Sequence, residues 1–108
     1  MPNEPPFNLK RLYPRRRISL PCWVSWRNEH QVLGKTLDVS YSGMGIVLAE
    51  AVNVNGVETS IMIPEGILLW AHPVYCREED NSHRVGYRIE RIERGDERWR
   101  ELCYIPQW

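Results

Sequence analysis

The sequence predicts an all-β chain, a small six-stranded antiparallel β-barrel with a flexible basic N-terminal arm and a short C-terminal helix. Three observations carry this expectation. Short runs rich in β-branched and aromatic residues recur between residues 18 and 92, and the clearest of them alternate with period two. Turn residues punctuate the runs, as in Asn28-Glu29-His30, Ser40 to Gly43 and Pro64-Glu65-Gly66. The chain has 108 residues and 43% hydrophobic content, which suffices for one core and not for two.

Residues 1–9 hold Pro2, Pro5 and Pro6 and little to bury, so a flexible lead-in is expected. Residues 10–17 form a basic, irregular arm. Pro14 lacks an amide proton and biases Tyr13 toward extended geometry, which disfavours a helix there. The first strand is expected over Ile18 to Arg27, where Cys22, Val24 and Trp26 alternate with Trp23, Ser25 and Arg27 and Pro21 marks a bulge or an edge. Val32 to Val39 is the second strand, with an irregularity at Gly34, and Met44 to Leu48 is the third. Val57 to Ile63 sets Val57, Thr59, Ile61 and Ile63 on one face. Ile67 to Arg77 is a long strand bent near Pro73. Arg84 to Ile92 is the last, with Val85, Tyr87 and Ile89 on one face. Strands of this number and spacing fit a small barrel. Arg94 to Tyr104 reads as a helix. Asp96 and Glu97 suit its positive end, Trp99, Leu102 and Cys103 form an apolar stripe, and Pro106 stops it. The expected organisation is a lead at 1–9 and one domain at 10–108, made of the arm (10–17), the barrel (18–92) and the helix (94–104).

A formal net charge of zero hides an asymmetry. Lys10, Arg11, Arg15, Arg16 and Arg17 crowd the arm without an acid, whereas the last third carries Glu78, Glu79, Asp80, Glu90, Glu93, Asp96, Glu97 and Glu101. A basic arm on a neutral body suits a compact anion better than a nucleic-acid polymer, whose binders are usually basic over a whole face. Cys22, Cys76 and Cys103 form no CxxC pair and read as reduced thiols, mostly buried. His30, His72 and His83 are scattered, and no metal-ligand spacing can be drawn from them. No nucleophile–base pair stands out, so no catalytic residue is expected. No apolar run approaches the ~20 residues of a membrane span, and the N-terminus has no secretory h-region. The chain is therefore expected to be cytoplasmic, free or as the cytoplasmic part of a larger membrane protein.

Two motifs carry chemistry. Arg11 and Arg15 form an RxxxR. A guanidinium is flat, permanently charged and forked, so it can stack on a purine, donate two hydrogen bonds to guanine and neutralise phosphate. Asp38-Val39-Ser40-Tyr41-Ser42-Gly43 forms a DxSxxG. Asp38 can accept from guanine N–H groups, Ser40 can donate to a phosphate oxygen, and Gly43 supplies a geometry that a larger residue resists. Taken singly, each has a plain alternative: a solvated basic tail or a handle for acidic lipid or RNA, and an ordinary turn whose polar side chains satisfy its own amides. Together, in this order and one strand pair apart, they are far more specific.

These residues resemble the PilZ family, the bacterial receptor domains for cyclic di-GMP. Arg11-Leu12-Tyr13-Pro14-Arg15 is similar to the family's RxxxR. Asp38 to Gly43, continued by Met44-Gly45-Ile46, is similar to its (D/N)xSxxG, and Val85-Gly86-Tyr87-Arg88-Ile89 resembles its final barrel strand. The resemblance implies a six-stranded barrel with a C-terminal helix. It implies that cyclic di-GMP is the ligand, with no cofactor, held by Arg11, Arg15, Asp38, Ser40 and Gly43, with Lys10 and Arg16 as accessory positions. It also implies an output to a partner protein or attached domain. The ending from Arg98 to Trp108 resembles segments that follow this domain in glycan synthases. Two rivals are a member of the family that binds protein and no nucleotide, marked by an exposed apolar patch near Trp23, Trp26 or Trp108, and a small barrel that stacks single-stranded nucleic acid. The plainer and favoured account of these tryptophans is packing in the core or against the helix.

Overall fold

The computed structural model describes residues 15–26, 30–50, 58–79 and 82–104. Among the described residues, seven strands and one helix follow in order: β1 (Arg16–Arg17), β2 (Pro21–Trp26), β3 (His30–Val39), β4 (Gly43–Leu48), β5 (Thr59–Ile63), β6 (Ile67–Glu79), β7 (Ser82–Arg94) and α1 (Asp96–Cys103). All pairings are antiparallel. The sheet runs β1-β3-β2-β5-β6-β7-β4, and a further β3–β4 pairing joins its ends. Six strands, β2 to β7, thus close a barrel, and β1 lies outside on β3. The expected architecture is the observed one.

Alternation decides what faces inward. Cys22 and Val24, Met44, Ile46 and Leu48, Ile61 and Ile63, Ile67, Leu69 and Ala71, and Val85 and Tyr87 are all buried. The irregularity expected at Gly34 is not found there: both ladders run in register through it, and the β3 slip falls between Thr36 and Asp38, whereas the bend expected near Pro73 is found. Gly34 sits where a Cβ would lie 2.9 Å from Ile46. The β6–β7 register slips between Pro73 and Tyr75. The hairpin at Pro64-Glu65-Gly66 turns with positive φ at Glu65 and Gly66. Trp99 of α1 is fully buried against the barrel core, and Gly95, whose φ of 78° is left-handed, begins the helix.

Two further expectations are corrected. The arm is not irregular to residue 17, because Arg16 pairs with Val39 and Arg17 with Asp38. Burial reaches into this junction. Thr36, 1% exposed, takes a hydrogen bond from Leu20 N–H (2.8 Å) and donates one to the Ile18 carbonyl. Its own N–H donates to Leu20 O at 2.9 Å. Trp23 is not a core residue but 42% exposed, paired with exposed Leu33 and Met62 on its neighbouring strands. Trp26 is half-buried against the core, and Trp108 lies outside the described residues. Among the described residues no helix is long and apolar enough to cross a membrane.

All three cysteines are free, with Cys22 and Cys103 buried and Cys76 exposed. Burial pushes Cys22 and Cys103 from the ordinary 9.0 up to about 12, Arg16 offsetting part of the effect at Cys103. Unfolded thiols ionise near 9.0, so between there and about 12 the unfolded chain holds fewer protons than the folded one and stability falls as pH rises. Thermal melts should therefore decline steadily above pH 9, and the decline should be shallower in Cys22→Ser, whatever its starting stability. An identical slope in the variant would contradict this account.

Candidate ligand site

The outer face of β3, β4 and β7 brings Arg15 of the first motif to Asp38 of the second. β1 runs along β3, and Arg15, immediately before it, reaches over the start of β4. Its Nη1 donates to Asp38 Oδ1 at 2.6 Å, across 23 positions of sequence. The same oxygen accepts the Gly45 N–H at 3.2 Å. Arg15 and Asp38 side chains remain 53% and 31% exposed, so the ion pair is open to a ligand. Lys10 and Arg11 lie outside the described residues.

Glycines make room for this pair. Gly43 has no positive φ. Its requirement is close approach, since a Cβ would lie 3.0 Å from the Tyr87 carbonyl and 3.5 Å from Arg15 Nη2. A Cβ at Gly45 would lie 3.3 Å from Asp38 Oδ1. Ser40 is 3% exposed, and its hydroxyl is occupied within the turn. It accepts the Gly43 N–H at 3.1 Å and faces the Gly43 carbonyl at 3.2 Å, while the Ser40 N–H donates to that carbonyl at 2.8 Å. Ser40 therefore fixes the turn that presents Asp38.

The intervening Tyr41, which motif reasoning passed over, ties the turn to α1. Its hydroxyl donates to Asp96 Oδ1 at 2.8 Å, its ring lies under the Arg100 guanidinium at 5.0 Å, and its carbonyl accepts the Trp99 indole N–H at 3.4 Å. Hydrogen bonding to Asp96 is the main cause of a raised Tyr41 pKa. Arg16 donates to the Leu102 carbonyl at 2.7 Å. Turn and arm are thus both fastened to one helix.

Cross-strand register extends the site. Asp38 pairs with Gly45, Gly45 with Gly86, and Gly86 with Tyr75, one row across four strands. On one side run Gly43, Arg88 and His72, and on the other Lys35, Val47, Arg84 and Arg77. Arg88 is paired with Glu90 at 2.9 Å. The result is a flat face with a glycine floor and a cationic frame, suited to a planar anion. An open apolar groove lies beside it, lined by Arg17, Leu33, Lys35, Val47 and others, and the Arg15–Asp38 pair does not line it.

The fold and site define a class, a small closed β-barrel with an arginine-bearing arm laid over a glycine-rich turn. No protein-family model matches the chain, and no curated protein does. Among solved structures, the inhibitor of motility of Bacillus subtilis (MotI/DgrA), a PilZ-fold protein, superposes with a TM-score of 0.69 at 18% identity. The match covers 87% of this chain and 49% of that one. The present chain therefore has a PilZ-like fold and spans about half of that protein.

The geometry separates two kinds of site residue. Ser40→Ala leaves the buried Gly43 N–H without its acceptor and should cost about 1–3 kcal/mol in urea unfolding. Arg15→Ala removes only an exposed ion pair and should cost at most ~1 kcal/mol. Equal losses in the two variants would refute this division of labour.

Proposed function

We propose that this chain is a receptor domain for cyclic di-GMP and acts without catalysis on that ligand. The observation that carries the reading is the Arg15–Asp38 pair, which joins the ends of two separate motifs on an exposed, glycine-floored face. Asp38 and Arg15 engage each other in the free protein. Guanine offers the carboxylate N–H donors and offers the guanidinium O6 and N7, so ligand exchanges one exposed ion pair for several charge-assisted hydrogen bonds. The pair is worth ~0–1 kcal/mol, against ~1.5–3 kcal/mol for each hydrogen bond to a charged group. Arg11 supplies the second arginine of the motif, with Lys10 and Arg16 at accessory positions. Ser40 and Gly43 contribute by holding the turn.

Ordering a backbone costs about 1–2 kcal/mol per residue. Pairing of β1 with β3 meets that cost at Arg16 and Arg17 before ligand arrives. The signal then has a physical route. Displacing Arg15 or the turn strains Arg16–Leu102 and Tyr41–Asp96, so α1 senses both halves of the site and passes the change to a partner protein or attached domain. A second reading, a protein-binding module of the same fold without nucleotide, is favoured by the exposed stripe of Leu33, Trp23 and Met62 on adjacent strands.

Calorimetric titration distinguishes them. Cyclic di-GMP should bind the wild type, and GTP should not. Arg15→Ala and Asp38→Ala should each weaken binding by about 10- to 100-fold, the equivalent of one lost charged hydrogen bond. Chromatography should recover the nucleotide intact. Absence of both heat and thermal shift with wild type would reject the receptor reading and favour the second.

A further inference from the structure

We propose that the side of the barrel away from the ligand face, formed by β3, β2, β5 and β6, is a docking surface for a bilayer that contains anionic phospholipid. The assignment does not depend on the cyclic di-GMP reading. Register sets the surface. Trp23 of β2 pairs with Leu33 of β3 on one side and with Met62 of β5 on the other, and Met62 pairs with Leu68 of β6. Directly paired residues stand on the same face of a sheet, so these four make one apolar row across four strands. Trp23, Leu33 and Met62 are exposed, and Leu68 is half-buried. The adjoining row of Gln31, Ser25, Ser60 and Trp70 carries no charge. Glu93, the acid beside Trp70, already accepts its indole N–H at 2.6 Å.

Charge decides what covers this row. Lys35 stands two residues along β3 from Leu33 and on the same face, and Arg17 lines the same open groove as both. At the other end Arg94 pairs with Leu68. Among the described residues, these three are the cations without a partner. The other described arginines are all engaged, most of them by carboxylates. The unpaired positive charge of the barrel is therefore gathered at the two ends of its exposed apolar row. An occupant has to be apolar in the middle and anionic at both edges. A closed barrel is convex outside, so Trp23 and Met62 form a crest rather than a cleft, and a deformable surface meets a crest more readily than a rigid protein does. The Trp23 indole N–H has no partner among the described residues. An indole with an apolar body and a free N–H suits the level of the lipid headgroups. The cations at the edges then meet phosphates, an attraction that salt screens.

The test is co-sedimentation with vesicles of phosphatidylcholine alone and of phosphatidylcholine mixed with phosphatidylglycerol. It compares wild type, Trp23→Ser and the pair Lys35→Glu with Arg94→Glu, with thermal melts of each. Wild type should bind the mixed vesicles and not the neutral ones, and binding should weaken as salt is raised. Trp23→Ser and the charge-reversed pair should each lose about tenfold or more in affinity. Met62→Ser removes an apolar contact of the same row and serves if Trp23→Ser fails to fold. No binding of wild type to the mixed vesicles would overturn the proposal, leave the row to a protein partner and leave the receptor reading intact. Binding kept by both row variants would place the contact elsewhere, the basic arm included, and would overturn it too. Equal binding to neutral and mixed vesicles would overturn the requirement for anionic lipid.

Discussion

Both closure of the barrel and assembly of the site depend on β3 using its two edges at once. One edge is shared in sequence, first by β2 over residues 30–35 and then by β1 at Asp38 and Val39. The other is taken by β4 from Gly34 to Val39. Between β1 and β2 the ladder is interrupted, and the buried Thr36 bridges the gap with its hydroxyl and its amide. A buried hydroxyl is costly unless satisfied, and this one finds both partners in the incoming chain. The core thereby fixes where the arm meets the sheet. Arg15 reaches Asp38 because the two residues after it are already in register.

The division between inside and outside follows from strand parity. Apolar residues of alternate positions make the interior, and the positions between them carry Arg15's partner, the glycines and the cationic rows. Where an outward side chain stands against that parity, the chain inserts a residue. The slip between Thr36 and Asp38 does so on β3, and Val74 does so on β6. The same rule explains why the floor is made of Gly43, Gly45 and Gly86. They are the positions at which a neighbouring carbonyl, carboxylate or phenol ring comes closest to the backbone.

Much of this was readable in the sequence. Alternation in Cys22-Val24, in Thr59-Ile61-Ile63 and in Val85-Tyr87 gave the core faces, and Pro73 marked the β6 irregularity, whereas the β3 slip falls between Thr36 and Asp38 and not at Gly34. That the arm folds back beside the turn was readable, because motif order and spacing survive without coordinates; that Arg15 and Asp38 pair with each other was not. Other features depend on register, which one sequence does not display. Arg16 and Arg17 have no pattern that announces a strand, since β3 supplies their hydrogen bonds. Trp23 looks like core by composition, yet the alternation of Cys22 and Val24 places it outside. Tyr41 occupies a motif position open to any residue, and its bonds to Asp96 and Trp99 join segments more than fifty positions apart. Ser40 carries the right atom for a phosphate contact, but burial commits that atom to Gly43.

The exposed setting of the arginine–aspartate pair has an evolutionary consequence. Because the Arg15 side chain supports nothing in the core, it can drift by a single substitution while the barrel stays folded, whereas Asp38 also accepts the Gly45 N–H. Descendants of such a domain can lose their ligand and keep their shape, free to be recruited as inert adaptors. The turn beneath is under the opposite pressure, since Ser40 and Gly43 are fixed by folding whether or not a ligand is bound. An intact turn therefore reports the demands of folding, and under the proposed receptor reading the arginine above it is the residue whose retention would report selection for binding.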